Sequence, residues 1–469
     1  MNVVYLHTHD SGRYLTPGFG PVELIGAERL AADGVTFRNA FSAAPTCSPS
    51  RSALLTGRWP HRNGLVGLTH RGFRMDDYQT HLAARLRRAG METVLCGVQH
   101  VAPDKGMLPY DRFLGGTADY FTDPHIDPIP WDWANAARVR DYLTEDHDRP
   151  FFLSFGLLTS HRPFPEVMPE KAPWELRSPP PGVPDTPATR SDAEGFFTAI
   201  ETADRIVGEV LGALDERGLS EETAVILTTD HGPPFPEMKG TLYDGGIGVS
   251  LILRIPGVAG GRVVDAPVSH VDIVPTLEEL LGLEGVGSAE GAEGGSSLLT
   301  LPGGSEERDR REERGVQGRT RRDHAGLDRA RPDRVHDAIF AETNYHANYE
   351  PARAVRTERY KLIRRFGSEG PPSAANVDDS AAKTLLAEAG YFERVQEKAV
   401  LIDLYLDPME RRNVIADPAY RETAAALGRR LEDWMAATDD PLLKGDVPRP
   451  AGSQVNRPDA WSATEATIE

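Results

Sequence analysis

The chain has 469 residues, enough for one large α/β domain with an appendage or for two to three domains. Acidic residues outnumber basic ones 71 to 52, and the formal net charge of −19 sets the surface against nucleic acid and anionic membranes at long range. There are only two cysteines, Cys47 and Cys96, which excludes a disulfide framework and fits a reducing compartment.

Short apolar runs alternate with helical patterns. Val3 to Leu6 reads as a buried strand running into the polar His7-Thr8-His9-Asp10, with no basic start of a secretion signal, so a cytoplasmic location is expected. No apolar run is long enough to span a bilayer. Leu24, Ala27, Leu30 and Ala31 have helical spacing, with Gly34 as a stop, and Leu82 and Leu86 mark a second helix. Thr93 to Leu95 and Phe151 to Phe155 read as strands, Ala199 to Leu214 as a helix, and Ala224 to Leu227 and Leu251 to Leu253 as further strands. Such alternation predicts a mostly parallel sheet with helices on both faces. Ligands bind at the carboxyl ends of such strands, and His9-Asp10 and Asp230-His231 fall there.

From Gly285 to Arg334 the composition turns to Gly and Ser and then to a dense run of Arg, Glu and Asp, which reads as a solvated, mobile insertion. Interleaved acids and absent aromatics argue against a nucleic-acid patch there. Strand-like pieces follow at Ile339 to Ala341 and Lys361 to Ile363, then a helix from about Tyr420 to Met435. The expected division is a catalytic unit over 1–335, containing the insertion at 285–334, and a smaller C-terminal α+β unit over 336–469.

The strongest chemical signal is Cys47-Ser48-Pro49-Ser50-Arg51 followed by Leu55-Thr56-Gly57-Arg58. A lone cysteine is ordinarily a small buried hydrophobe, and a lone Asp at a strand end ordinarily a cap or turn residue. The whole string, however, resembles the signature of the sulfatase family, in which the cysteine becomes a formylglycine. The resemblance extends over most of the chain, including Phe37-Arg38-Asn39-Ala40, Asp272-Ile273-Val274-Pro275-Thr276 and Asp403-Leu404-Tyr405-Leu406-Asp407-Pro408. Within the family it resembles the heparan N-sulfatase-like (sulfamidase-like) members, through the Cys47 string, His100-Val101 and Pro234-Phe235-Pro236.

The resemblance implies an alkaline-phosphatase-like α/β sandwich: a large, mostly parallel sheet flanked by helices, plus a small C-terminal α+β domain with an antiparallel sheet. It implies a sulfuric ester or sulfamate hydrolase acting on a small-molecule or saccharide sulfate. A formylglycine-generating enzyme is the implied maturation partner, and neither nucleic acid nor membrane is one. A hydrated aldehyde at position 47 presents two hydroxyls on one carbon: one attacks sulfur, and loss of the other's proton later expels sulfate. A helix starting near Ser50 would aim its N–H groups at the anion, with Arg51 holding the formylglycine oxygens. Asp10, Asp230, His231 and the modified Cys47 map onto ligands of one divalent metal, and His9 is either a further ligand or a neighbour. Calcium is the family's metal; the imidazoles make manganese or zinc alternatives. His100 maps onto the base that opens the hemiacetal, His161 onto a substrate contact, and Lys239 onto a sulfate-binding proton donor. Val98 stands where the family has a lysine, so one cation is missing. Two rivals share these residues: a phosphodiesterase or phosphonate monoester hydrolase on the same fold, and a non-catalytic sulfate or glycan binder.

Overall fold

In a computed structural model of the protein, residues 1–115, 126–166, 171–283, 295–300 and 334–468 are described. Apart from 295–300 and Arg334, the Arg/Glu-rich stretch expected to be a mobile insertion lies outside them. The main sheet comprises β1 (Asn2–Thr8), β2 (Val35–Phe37), β3 (Glu92–Gly97), β4 (Arg112–Leu114), β5 (Phe151–Gly156), β6 (Thr223–Thr229), β7 (Leu251–Arg254) and β8 (Arg262–Val264). Their spatial order is β8-β2-β7-β6-β1-β5-β3-β4. Only β7 runs against the others; β1 is paired in parallel on both sides, Val4 facing Leu153 and Val225.

Central strands of such a sheet are covered on both faces and therefore read as unbroken apolar runs. Val3 and Tyr5 of β1 enter one core, with Phe152, Ile226, Leu82 and Leu86. Val4 and Leu6 enter the other, with Leu153, Val225, Leu30 and Ile200. The flanking helices are α1 (Ile25–Ala32), α2 (Cys47–Thr56), α3 (Leu82–Arg88), α4 (Pro128–Leu143), α5 (Pro187–Glu216) and α6 (Ile273–Leu280). Two of them start earlier than their sequence patterns predict. α5 begins at Pro187 rather than near Ala199, because Thr186 caps it and Pro187 is preset for a first turn. α2 begins at Cys47 rather than near Ser50, since Pro49 falls in the first turn, where a missing N–H breaks no helical bond.

The C-terminal part forms a four-stranded antiparallel sheet of β9 (Ile339–Tyr345), β10 (Tyr349–Arg356), β11 (Tyr360–Arg365) and β12 (Ala399–Asp403). On one face it packs against α7 (Arg421–Ala437) through Leu431 and Trp434, joined by Ala53 and Trp59. On the other it meets Phe41, Leu242 and Ile247 of the larger part. The fold is the α/β arrangement expected from the sequence, with the smaller antiparallel sheet docked on the larger layers.

Candidate active site

β1 delivers His9-Asp10 just past its carboxyl end, and β6 delivers Asp230-His231 beside it, because the two strands pair in parallel and in register to Thr8 and Thr229. Asp10 turns back with φ 51°, in the left-handed region that short polar side chains tolerate. Its backbone N–H donates to Asp230 Oδ1 at 2.9 Å, and so does that of His231. β3 and β5 close together nearby: a Cβ on Gly97 would lie 2.0 Å from the Gly156 carbonyl oxygen, which explains the glycine.

Cys47 is the first residue of α2, a helix buried along its entire length with no side-chain cap at its N-terminus. That end carries partial positive charge. His231 Nε2 lies 3.3 Å from Cys47 Sγ and 3.3 Å from Asp10 Oδ1. His9 Nδ1 lies 3.2 Å from Asp10 Oδ1 and 3.1 Å from Asp230 Oδ2. One donor atom each from His9, Asp10, Cys47 and Asp230 falls within 4.8 Å of the others. His9 thus sits among the expected ligands and not apart from them. Arg51, one helical turn on, reaches Asp230 Oδ2 at 3.0 Å, donates to the Thr8 carbonyl at 3.0 Å and also contacts His7 Nδ1.

Lys239 Nζ donates to Asp10 Oδ2 at 2.8 Å, and His161 Nε2 is 3.9 Å from the same oxygen. His100 Nε2 faces His70 Nδ1 at 3.0 Å, the two rings stacked, and its ring centroid is 5.8 Å from that of His9. All the sequence-predicted residues therefore converge at one end of the sheet. Val98 is fully buried, with its N–H bonded to the Gly156 carbonyl, and an imidazole pair stands nearby.

Burial sets most of the charge states. It drives His9 down to about 4 and His100 well below the usual imidazole range, so both are neutral at pH 7. It pushes the Cys47 thiol well up. It also pushes the Asp10 carboxyl up, but Lys239 and then His161 and His231 outweigh that and hold it well below the usual range. For Asp230 burial is outweighed by His231, His9 and Arg51 in the same way.

Sequence reading missed three neighbours. Asp378 Oδ2 is 3.1 Å from Lys239 Nζ. Buried His346 lies close enough to Lys239 and Asp378 to feel their charges, and His70 stacks on His100. None belongs to a motif, and no local pattern predicts which distant segment closes a site.

A buried carboxylate–imidazole cluster at parallel strand ends, facing a helix N-terminus, has the chemistry to receive a tetrahedral oxyanion. The sulfatase family model matches residues 12–283, and the chain belongs to the sulfatase family and is a hydrolase of that family. Human N-sulphoglucosamine sulphohydrolase is 26% identical to it over 482 residues, covering 92% of this chain and 89% of that protein. A structure solved with its substrate D-glucosamine-2-N,6-O-disulfate matches with a TM-score of 0.67 at 16% identity, over 94% of this chain and 98% of that one. The phosphonate monoester hydrolase of Agrobacterium radiobacter matches with a TM-score of 0.63 at 20% identity, over 96% and 99%. These structural likenesses concern the fold.

Proposed function

We propose that the chain removes sulfate from a saccharide or other small organic substrate carrying a sulfate ester or sulfamate, using formylglycine made from Cys47 and one divalent metal. The observation that carries this reading is the convergence of His9, Asp10, Cys47 and Asp230 donor atoms within 4.8 Å at the N-terminus of a buried helix. Two buried carboxylates with adjacent imidazoles fit a divalent cation, held by Asp10, Asp230, His231 and His9. Calcium suits the carboxylates, and the imidazoles admit manganese or zinc. When bound, the metal lowers the pKa of the attacking hydroxyl and polarises a sulfate oxygen.

The chain's own residues do the rest. Arg51 fixes Asp230 and adds positive charge next to the α2 N-terminus, where residue 47 sits. Lys239 binds a sulfate oxygen and carries a proton for the leaving group. His161 contacts the substrate from the turn after β5. His100, kept neutral by burial, takes the proton whose loss expels sulfate. The catalytic unit is assigned to 1–335 and the C-terminal unit to 336–469.

Mass analysis of the peptide containing residue 47 from active enzyme tests the modification, which should appear as an aldehyde. Cys47→Ala should fold and lose turnover of 4-nitrophenyl sulfate; full activity in that variant ends the nucleophile assignment. An aryl phosphodiester hydrolysed faster than the aryl sulfate would favour the phosphonate-hydrolase-like rival.

A further inference from the structure

A groove of about 870 Å³ opens beside the site. One wall is formed by Arg162 to Glu166, just after His161, and by the start of α5; the other comes from Val377 to Asp379 and Ser462 to Thr464. Asp378 joins groove to site. Its Oδ2 is buried 3.1 Å from Lys239 Nζ, while the side chain keeps 23% exposure and lines the groove. Lys239 therefore bridges Asp378 and Asp10 and neutralises neither alone.

The groove's charges are unbalanced. Among the described residues lining it, Glu166, Asp192, Asp378 and Asp379 are acidic, and Arg162 alone is basic. Arg162 is committed: it holds Asp192 through two hydrogen bonds of 2.7 Å each, and its guanidinium lies over Phe164 at 4.4 Å. Asp379 is tied to Lys383 at 2.7 Å and accepts from the Ser462 hydroxyl. Pro163 and Phe164 on one wall and Val377 on the other supply apolar surface suited to a sugar ring.

Building on the sulfatase reading above, we infer that this groove takes the leaving group of a substrate whose only anion is the scissile sulfate, with Asp378 as the selecting residue. A carboxylate only accepts hydrogen bonds. Asp378 therefore favours a hydroxyl or ammonium adjoining the scissile bond and rejects a second sulfate or a carboxylate, so discrimination comes from repulsion as well as attraction.

Calorimetry on full-length Cys47→Ala protein, metal-loaded and unable to turn over, tests this with two probes: glucosamine N-sulfate and glucosamine 2-N,6-O-disulfate. The monosulfated sugar should bind at least about tenfold more tightly, and adding Asp378→Asn should narrow the gap to below about threefold. Equal or tighter binding of the disulfated sugar, an unchanged gap in the double variant, or no binding of the monosulfated sugar at millimolar concentration overturns the inference. Equal or tighter binding of the disulfated sugar by the Asp378-containing protein overturns the inference even if the double variant does not fold. Turnover of 4-nitrophenyl sulfate by the aldehyde-bearing enzyme separately reports whether the sulfatase reading itself stands.

Discussion

Lys239 is pulled by two carboxylates, Asp10 at 2.8 Å and Asp378 at 3.1 Å. Burial lowers its affinity for a proton, but those two charges outweigh burial and hold it well above the usual lysine range. It therefore stays protonated, as the proposed roles of oxyanion clamp and proton donor to the leaving group require. Lys239→Ala should lower kcat by about a hundredfold, the scale of one lost charge-assisted bond to a transition-state oxyanion. Steady-state rates on substrates with good and poor leaving groups test the donor role. A smaller loss with nitrophenyl sulfate supports proton donation; equal losses leave Lys239 a clamp only, with the proton supplied by His161 or water.

At the scale of elements, the turn carrying His161 is fixed by a residue from a helix. Asp132 of α4 is fully buried, and its Oδ2 accepts from the N–H groups of Leu158 and Thr159 at 2.7 Å each and from the Thr159 hydroxyl at 2.6 Å. Next along, the Ser160 hydroxyl donates to the His9 carbonyl. Asp132→Ala would leave those donors buried and unpaired, costing about 1–3 kcal/mol, and should lower kcat by loosening His161. Asp132→Asn keeps an acceptor oxygen and should recover most of both, as thermal unfolding and kcat would show. A second element-scale contact titrates. His336 Nε2 lies 2.8 Å from Asp272 Oδ1, just before α6. Burial lowers the His336 pKa, but the hydrogen bond and charge of Asp272 outweigh it and raise it above 6.5. The stability this contact supplies is complete below pH 6.5 and is lost as pH rises through the raised value. The Tm of the native protein should fall across that window more steeply than that of His336→Asn; parallel curves would show that the pair contributes nothing.

At the scale of the whole molecule, buried charges brace the antiparallel sheet, both within the C-terminal part and onto the layers beneath it. Arg353 binds Asp440 through two bonds, 2.5 and 2.9 Å, and lies 3.6 Å from Glu342, which also holds His61. Lys361 and Arg356 both grip Asp244. Arg353→Met leaves Asp440 buried without its cation and should cost about 3–5 kcal/mol in denaturant unfolding; a cost below about 1 kcal/mol would show that the pair adds little to apolar packing. These long-range pairs mark the limit of what the sequence discloses. Val3 to Leu6 and Ala224 to Leu227 announce parallel strands because burial on both faces demands unbroken apolar residues, and the Cys47 string announces the site by its residue order. Asp378, His346 and Arg353 announce nothing, since their partners are chosen by chain packing across distant segments. The early start of α5 was hidden for a different reason: its first turns carry capping and polar residues in place of an apolar stripe.

Cys47 is only 3% exposed, and the helix it begins shares a core with the C-terminal sheet through Ala53. Any enzyme that must grasp the residues around Cys47 to oxidise it therefore works against a clock. Once the C-terminal strands dock, the segment around Cys47 is closed off inside the fold. Under the proposed formylglycine chemistry, maturation would be a race between conversion and folding, and its yield would depend on the host's rate of synthesis as well as on the amount of converting enzyme. A uniformly folded preparation would then be a mixture of converted and unconverted chains, in a ratio set before Cys47 is buried.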